Sequence, residues 1–298
     1  MSLPEFPETA GGFKTMSLLE FRKICRAIRS GGGLKVLRFY LMGEPLLNPE
    51  LPEMIAIACK MKIAERTELT SNGSLLNEEK SRALIDSGLD YLRISITSVD
   101  QARHRRLTQT NVRIERICDN LARFRRLRDS LGRKKPFLYV KMLDSMSASE
   151  NARFLKLYQP VADEAAIEEP MEWNSYGEAD LLKATYDKKC PVDPKKLYRY
   201  NRTICPLPFY TLGVSANGDV TVCCVDWNKA TKIGNAFETE LKSLWSGNNL
   251  RNLYSLHLSG NRQKNRSCAN CRFLHTAPDN LDHMPEPLIR RLLRGGNK

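Results

Sequence analysis

Five short runs of strand-forming residues alternate with helix-period segments between residues 35 and 171, and this alternation limits the chain to few folds. The strand-like runs are Lys35–Met42, Glu65–Thr70, Tyr91–Thr97, Phe137–Leu143 and Ala165–Met171. Between and before them, apolar residues recur at helical spacing over Met16–Ile28, Leu51–Met61, Asn77–Ser87, Asn111–Leu131 and Glu150–Val161. Strands alternating with helices predict βαβ units and a parallel sheet. Five strands are too few for a closed eight-stranded barrel and suit an open or partial one. The first strand follows a helix, so the expected architecture lacks its opening strand.

Residues 173–204 change character, with Trp173, four Tyr and many Lys but no clear period, and read as a linker. Beyond it, Leu212–Cys223 alternates around Asn217-Gly218, a hairpin signal because both central residues of a type I′ turn take positive φ. Glu238–Ser246 and Leu250–Leu258 read as short helices, and residues 281–298 as a basic tail. The expected domains are therefore 1–172, 205–280 and that tail, joined by the linker.

The nine cysteines are an odd number, and no basic-then-apolar leader opens the sequence. Both features fit a reducing, cytoplasmic setting in which thiols serve as ligands or core filler. Cys25, Cys59 and Cys118 sit among apolar helical neighbours and read as core, while Cys190 has no identifiable partner. Cys205, Cys223, Cys268 and Cys271 are different. A two-residue turn sets Leu212 opposite Cys223 and sends Cys223 and Cys224 to opposite faces. Cys224 then joins Val220 and Val222 as buried filler, leaving Cys223 as a ligand. Cys268-x-x-Cys271 brings two more thiolates to one turn, and Cys205 precedes the first strand. On spacing alone, four thiolates suit Zn²⁺ and an iron–sulfur cluster equally.

The net charge is +13, with a run of arginines on or beside the 111–131 helix. Interleaved aromatics are missing there, so the arginines read as a solvated face and nucleic acid is not an expected partner. No apolar stretch approaches the length of a membrane span.

The spacing from Cys205 through Gly218 and Cys223 to Cys268-x-x-Cys271 resembles the SPASM or twitch auxiliary-cluster module of the radical S-adenosylmethionine (SAM) family. Cys205-Pro-Leu-Pro-Phe, Asn217-Gly-Asp-Val, Gly234-Asn235, Ser243-Leu-Trp245 and His257-Leu fit as well. Residues 13–170 resemble that family's partial (β/α)₆ TIM-like barrel. The resemblance implies one auxiliary [4Fe-4S] cluster at the four cysteines, with zinc as the alternative, and SAM held by Gly43-Glu44-Pro45, Asn72 and Ser95. It also implies hydrogen abstraction from a peptide or small-molecule substrate, and an electron donor as partner. The Cys-x-x-x-Cys-x-x-Cys that binds the SAM-cleaving cluster in the family is not in this sequence, and the expectation is that the chain begins just beyond it. A non-catalytic iron–sulfur or zinc-binding module is the alternative reading.

Overall fold

In the computed structural model, residues 14–169, 202–226, 228–275, 277 and 279–294 are described. Most of the linker and Cys190 lie outside these residues. Thr15–Glu169 forms one compact unit, and the described residues from Arg202 onward belong to a second.

The first unit is built on five parallel strands: β1 (Leu34–Phe39), β2 (Ala64–Ser71), β3 (Tyr91–Ile96), β4 (Phe137–Leu143) and β5 (Glu164–Glu168). They pair in the order β1-β2-β3-β4-β5, each with the next in the chain. Sequential order with right-handed crossovers puts every connecting helix on one side of the sheet and leaves the other side as an inner surface. The helices are α1 (Leu18–Ser30), α2 (Leu51–Met61), α3 (Glu78–Asp86), α4 (Gln101–Thr108), α5 (Ile114–Ser130) and α6 (Ala148–Tyr158). Local chemistry fixes where they start. Ser17 caps α1 in a reciprocal box with Glu20, Asn77 accepts from the Lys80 amide at α3, and Asp100 accepts from the Arg103 amide at α4.

Alternation along β3 and β4 separates two faces. Leu92, Ile94 and Ile96 with Leu138, Val140 and Met142 are buried in the main core with Leu121, Phe124 and Phe154. Cys25 is buried in a second cluster with Phe21, and Cys59 and Cys118 pack against the main core, as expected of filler thiols. The arginines of α5 are not all solvated. Arg128 is buried at 3% exposure and donates to Asp163, Asp129 and the Pro136 carbonyl. Arg125 holds the Pro160 and Ala162 carbonyls, at 3.1 and 2.7 Å. These side chains tie α5 to the connection that leads into β5.

The second unit holds a three-stranded antiparallel sheet, β6 (Gly213–Val214), β7 (Asp219–Thr221) and β8 (Lys232–Asn235). Around it lie α7 (Leu241–Trp245), α8 (Asn248–Leu258), α9 (Arg266–Ala269) and α10 (Glu286–Arg294). The 281–298 stretch, read as a tail, thus contains a helix.

The hairpin differs from the two-residue expectation. Val214 pairs with Val220 and Gly213 with Thr221, one residue off the predicted register. The Gly218 amide donates to the Ser215 carbonyl, and Gly218 alone in the turn has positive φ, at 85°. This is a three-residue loop that ends in a left-handed glycine. A side chain at Gly218 would also strike the Phe237 ring, 2.6 Å from an added Cβ. Strand β7 ends at Thr221, so strict alternation does not extend to the two cysteines after it. Cys224 is exposed, and its assignment as buried filler is corrected accordingly.

Candidate functional site

In the first unit, the loops after β1 and β2 meet through one carboxylate. Glu44 Oε1 accepts from the Ser71 hydroxyl at 2.7 Å and the Leu46 amide at 3.1 Å, while Oε2 accepts from the Asn72 amide at 2.8 Å. Gly43, Glu44, Pro45 and Asn72 are thus joined at the C-terminal ends of adjacent parallel strands, where barrel folds place their sites. Gly43 has φ +77°, and a Cβ added there would meet nothing within 4 Å, so the loop presents bare backbone to open space. Oε2, with one bond, keeps an open acceptor position.

Ser95 lies on the inner face of β3, paired with Lys141 on β4. Around it is a charged and aromatic set that the sequence reading did not single out. Glu168 on β5 accepts from Arg93, from Lys141 at 3.1 Å and from the Tyr139 hydroxyl at 3.0 Å. The Arg93 guanidinium lies over the Tyr139 ring, 5.5 Å from its centre. Burial pushes the Glu168 carboxyl up, but Lys141 and Arg93 outweigh that and leave it lowered. Burial lowers Lys141, Glu168 opposes the shift, and Arg93 adds to it. A purely parallel sheet is ordinarily apolar on both faces. The polar residues alternating with apolar ones in Tyr91-Leu-Arg-Ile-Ser95 and Tyr139-Val-Lys141 were the signal available in the sequence.

In the second unit, Cys205, Cys223, Cys268 and Cys271 line one pocket with Leu207, Pro208, Val225, Phe273 and Leu274 as its apolar walls. The structure therefore brings together all four thiols expected from spacing. They surround the pocket without converging on a point: among the described residues, no three His, Cys, Asp or Glu are placed to hold a single metal ion.

Three segments carry the thiols. Cys205 precedes the short turn Leu207–Phe209, and the Leu207 amide donates to its sulfur. Cys223 follows β7 and accepts from the Val225 amide at 3.4 Å. Cys268 lies in α9, capped by Asn265, and the Cys271 amide closes the turn onto the Cys268 carbonyl. Arg262 donates to the carbonyls of both Cys268 and Cys271 and so fixes the shape of that turn. Asp226 joins the segments. Its carboxylate accepts from the Thr231 amide (2.6 Å) and hydroxyl (2.7 Å), the Ala230 amide (3.1 Å) and the Ser267 hydroxyl (2.5 Å).

Burial pushes the Cys205 and Cys268 thiols up to about 12, and their thiol neighbours add to the shift. Cys223 moves the same way, with burial again the main cause. A cation in the pocket removes this penalty by pairing with the thiolates, so metal binding there displaces protons. Amide donors on two sulfurs, apolar walls and four soft thiolates are the donor set that an iron–sulfur cluster requires. His257 on α8 also lines the pocket. Its Nε2 is 3.7 Å from the Cys268 sulfur, and burial, then the Arg262 charge, lowers it to about 4. His257 appeared in the sequence reading only as part of a motif; its place against a ligand sulfur needs the fold.

Residues 5–132 match the model of the radical SAM superfamily, and residues 205–272 match that of an iron–sulfur cluster-binding domain, the SPASM domain. The chain carries a radical SAM domain and a SPASM domain. These two domains imply iron–sulfur and SAM binding.

Among curated relatives, the GTP 3′,8-cyclase of Chlorobaculum tepidum is 33% identical over 97 residues, which is 33% of this chain and 28% of that protein. A probable GTP 3′,8-cyclase of Methanococcus maripaludis is 35% identical over 95 residues, 32% of this chain and 31% of that protein. The matched segment is thus less than a third of each of these relatives. Solved structures match over more of the chain. BtrN in complex with AdoMet and 2-DOIA superposes with TM-score 0.52 at 18% identity, covering 86% of this chain and 80% of that one. Streptococcus suis SuiB bound to S-adenosylmethionine gives 0.54 at 16%, covering 86% and 63%. anSMEcpe with bound AdoMet gives 0.54 at 15%, covering 81% and 75%. At these identities the likeness is one of fold, and it agrees with the partial barrel expected from the strand pattern.

Proposed function

We propose that the second unit holds one auxiliary [4Fe-4S] cluster through Cys205, Cys223, Cys268 and Cys271, and that the first unit binds SAM at the loops joined by Glu44. The observation that carries this reading is the convergence of four thiols from three separate segments on one pocket. Such a cluster supplies a one-electron acceptor and a site for anchoring substrate. The chain's own contribution is to hold four anionic sulfurs in an apolar pocket, with amides aimed at two of them. In the first unit, Glu44 offers a carboxylate to the ammonium of SAM, and Gly43 lets the ligand approach the backbone. Asn72 and Ser95 add polar contacts from the next two strands.

The reaction class that fits is hydrogen-atom abstraction from a peptide or small molecule after reductive cleavage of SAM, with an external electron donor. The chain acts in that reading as an oxidoreductase or maturase of the cytoplasm. The 298 residues contain no Cys-x-x-x-Cys-x-x-Cys, so the residues present do not provide for a SAM-cleaving cluster. The second reading is a cluster-binding module without SAM cleavage.

Anaerobic reconstitution tests the assignment. About four irons and four sulfides per chain, lost when Cys223 and Cys268 are both replaced by Ala, are the expected result. Stoichiometric zinc without iron overturns it. Equilibrium dialysis with labelled SAM tests the first unit: E44Q is expected to weaken binding by roughly tenfold or more, the worth of one charge-assisted hydrogen bond. Unchanged binding removes Glu44 from the site. Formation of 5′-deoxyadenosine when loaded protein is incubated with SAM and dithionite would rule out the second reading.

A further inference from the structure

His257 is placed against the cysteine pocket in a way that a packing role does not explain. It sits near the end of α8 at 1% exposure and lines the pocket with the four thiols. Its Nε2 lies 3.7 Å from the Cys268 sulfur, within reach of an N–H···S hydrogen bond. Its Nδ1 is buried and has no hydrogen-bond partner.

The proton position follows from these contacts. With the proton on Nδ1, a buried N–H would have no acceptor, and the Nε2 lone pair would face the lone pairs of a thiolate. With the proton on Nε2, the N–H points at the sulfur, and only an acceptor lone pair is left unmet. The charge acting on the ring is that of Arg262, which holds the Cys268 and Cys271 carbonyls, and the Asp226 carboxylate that shares the pocket is taken up by Ala230, Thr231 and Ser267.

We propose that His257 donates an Nε2–H hydrogen bond to the Cys268 thiolate and thereby raises the reduction potential of the cluster held by the four cysteines. This rests on the cluster assignment above. The cause is electrostatic: reduction adds negative charge that spreads onto the ligand sulfurs, and a donor at one sulfur stabilises the reduced form more than the oxidised form. His257 is a positioning and tuning residue and is not itself a ligand.

The test uses the full chain, anaerobically reconstituted, with the midpoint potential read by a dye-mediated titration followed by electron paramagnetic resonance. H257F removes the donor and keeps an aromatic ring in the space. H257Q places an amide N–H near the position of Nε2. H257N is one carbon too short to reach and stands in for H257F where the larger ring costs iron loading. The expected result is wild-type iron and sulfide content in all three, a more negative potential in H257F and H257N, and a potential close to wild type in H257Q. An unmoved potential in iron-loaded H257F or H257N overturns the proposal, as does an equal shift in H257Q. Loss of iron from all three variants also overturns it, because the ring is then needed to hold the cluster. Wild-type protein that takes up no iron and sulfide overturns the cluster assignment and this inference with it.

Discussion

Replacing Asp226 should loosen the cysteine pocket by an amount that can be worked out from its hydrogen bonds. The residue is 3% exposed, and its carboxylate accepts four of them. Two donors are backbone amides, Ala230 and Thr231, which cannot turn away; the Thr231 and Ser267 hydroxyls can rotate. In D226N the amide oxygen keeps about two acceptor positions, while the new NH₂ group faces donors. Two charge-assisted bonds are then lost, at about 1.5–3 kcal/mol each before relaxation, for a net cost of about 3 kcal/mol. S267A removes one hydroxyl donor and leaves the other three bonds, costing about 1 kcal/mol. Native-state hydrogen exchange with mass spectrometry on a peptide spanning 226–235 reads these costs locally. At 1.4 kcal/mol per factor of ten, D226N should speed exchange of these amides roughly a hundredfold and S267A roughly fivefold. D226N should also lower iron retention, because the loop carrying Cys223 and the helix carrying Cys268 are no longer tied. Protection in D226N within about twofold of wild type, or a loss in S267A equal to that in D226N, would refute the reasoning.

Three further outcomes are expected. R128A leaves the Asp163 carboxylate without its buried guanidinium and should destabilise the barrel unit by about 3–5 kcal/mol, measured by urea unfolding. Burial pushes the Asp219 carboxyl up, yet hydrogen bonds from Lys229, Lys232 and Asn217 prevail and hold it well below the usual carboxylate range. Its folded pKa is depressed, so its stabilisation is complete above the unfolded value of about 3.9 and is lost as pH falls below that value. D219N should therefore lower stability at neutral pH and flatten the acid limb of a melting-temperature profile. Finally, in apoprotein at neutral pH, iodoacetamide should label exposed Cys224 before Cys205, Cys223 and Cys268, as read by peptide mass spectrometry, since burial disfavours the reactive thiolate at those three.

The sequence was most legible where one period dominates. Phe137–Leu143 sets Tyr139 and Lys141 between Leu138, Val140 and Met142, and the strand occupies those same residues. Leu51–Met61 was equally clear, because an apolar stripe and Pro52 in the first turn agree. Helix α4 was missed: only His104 and Leu107 are buried on it, too few to make a stripe visible. Strand β8 is four residues long around Gly234, below the length at which alternation can be read. The hairpin register failed for a chemical reason. Asn217 uses its side-chain oxygen to accept from the Asp219 amide at 3.3 Å, which stabilises a longer loop than the Asn-Gly pair suggests. That shift, with the strand ending at Thr221, is why alternation misplaced Cys224. Cysteine spacing did find the four thiols of the pocket, because ligand grouping survives errors in register. His257, Arg262 and Asp226 come from three separate segments, so their convergence cannot be read along the chain.

The split character of β3 and β4 has an evolutionary consequence. Even-numbered positions such as Leu92, Ile94, Leu138 and Val140 are fully buried, whereas Arg93, Ser95, Tyr139 and Lys141 sit between them on the opposite side. Mutations at the odd positions can rewrite what the inner surface recognises without opening a void among the helices. Such a scaffold can drift from one substrate to another while its folding remains insulated from the change.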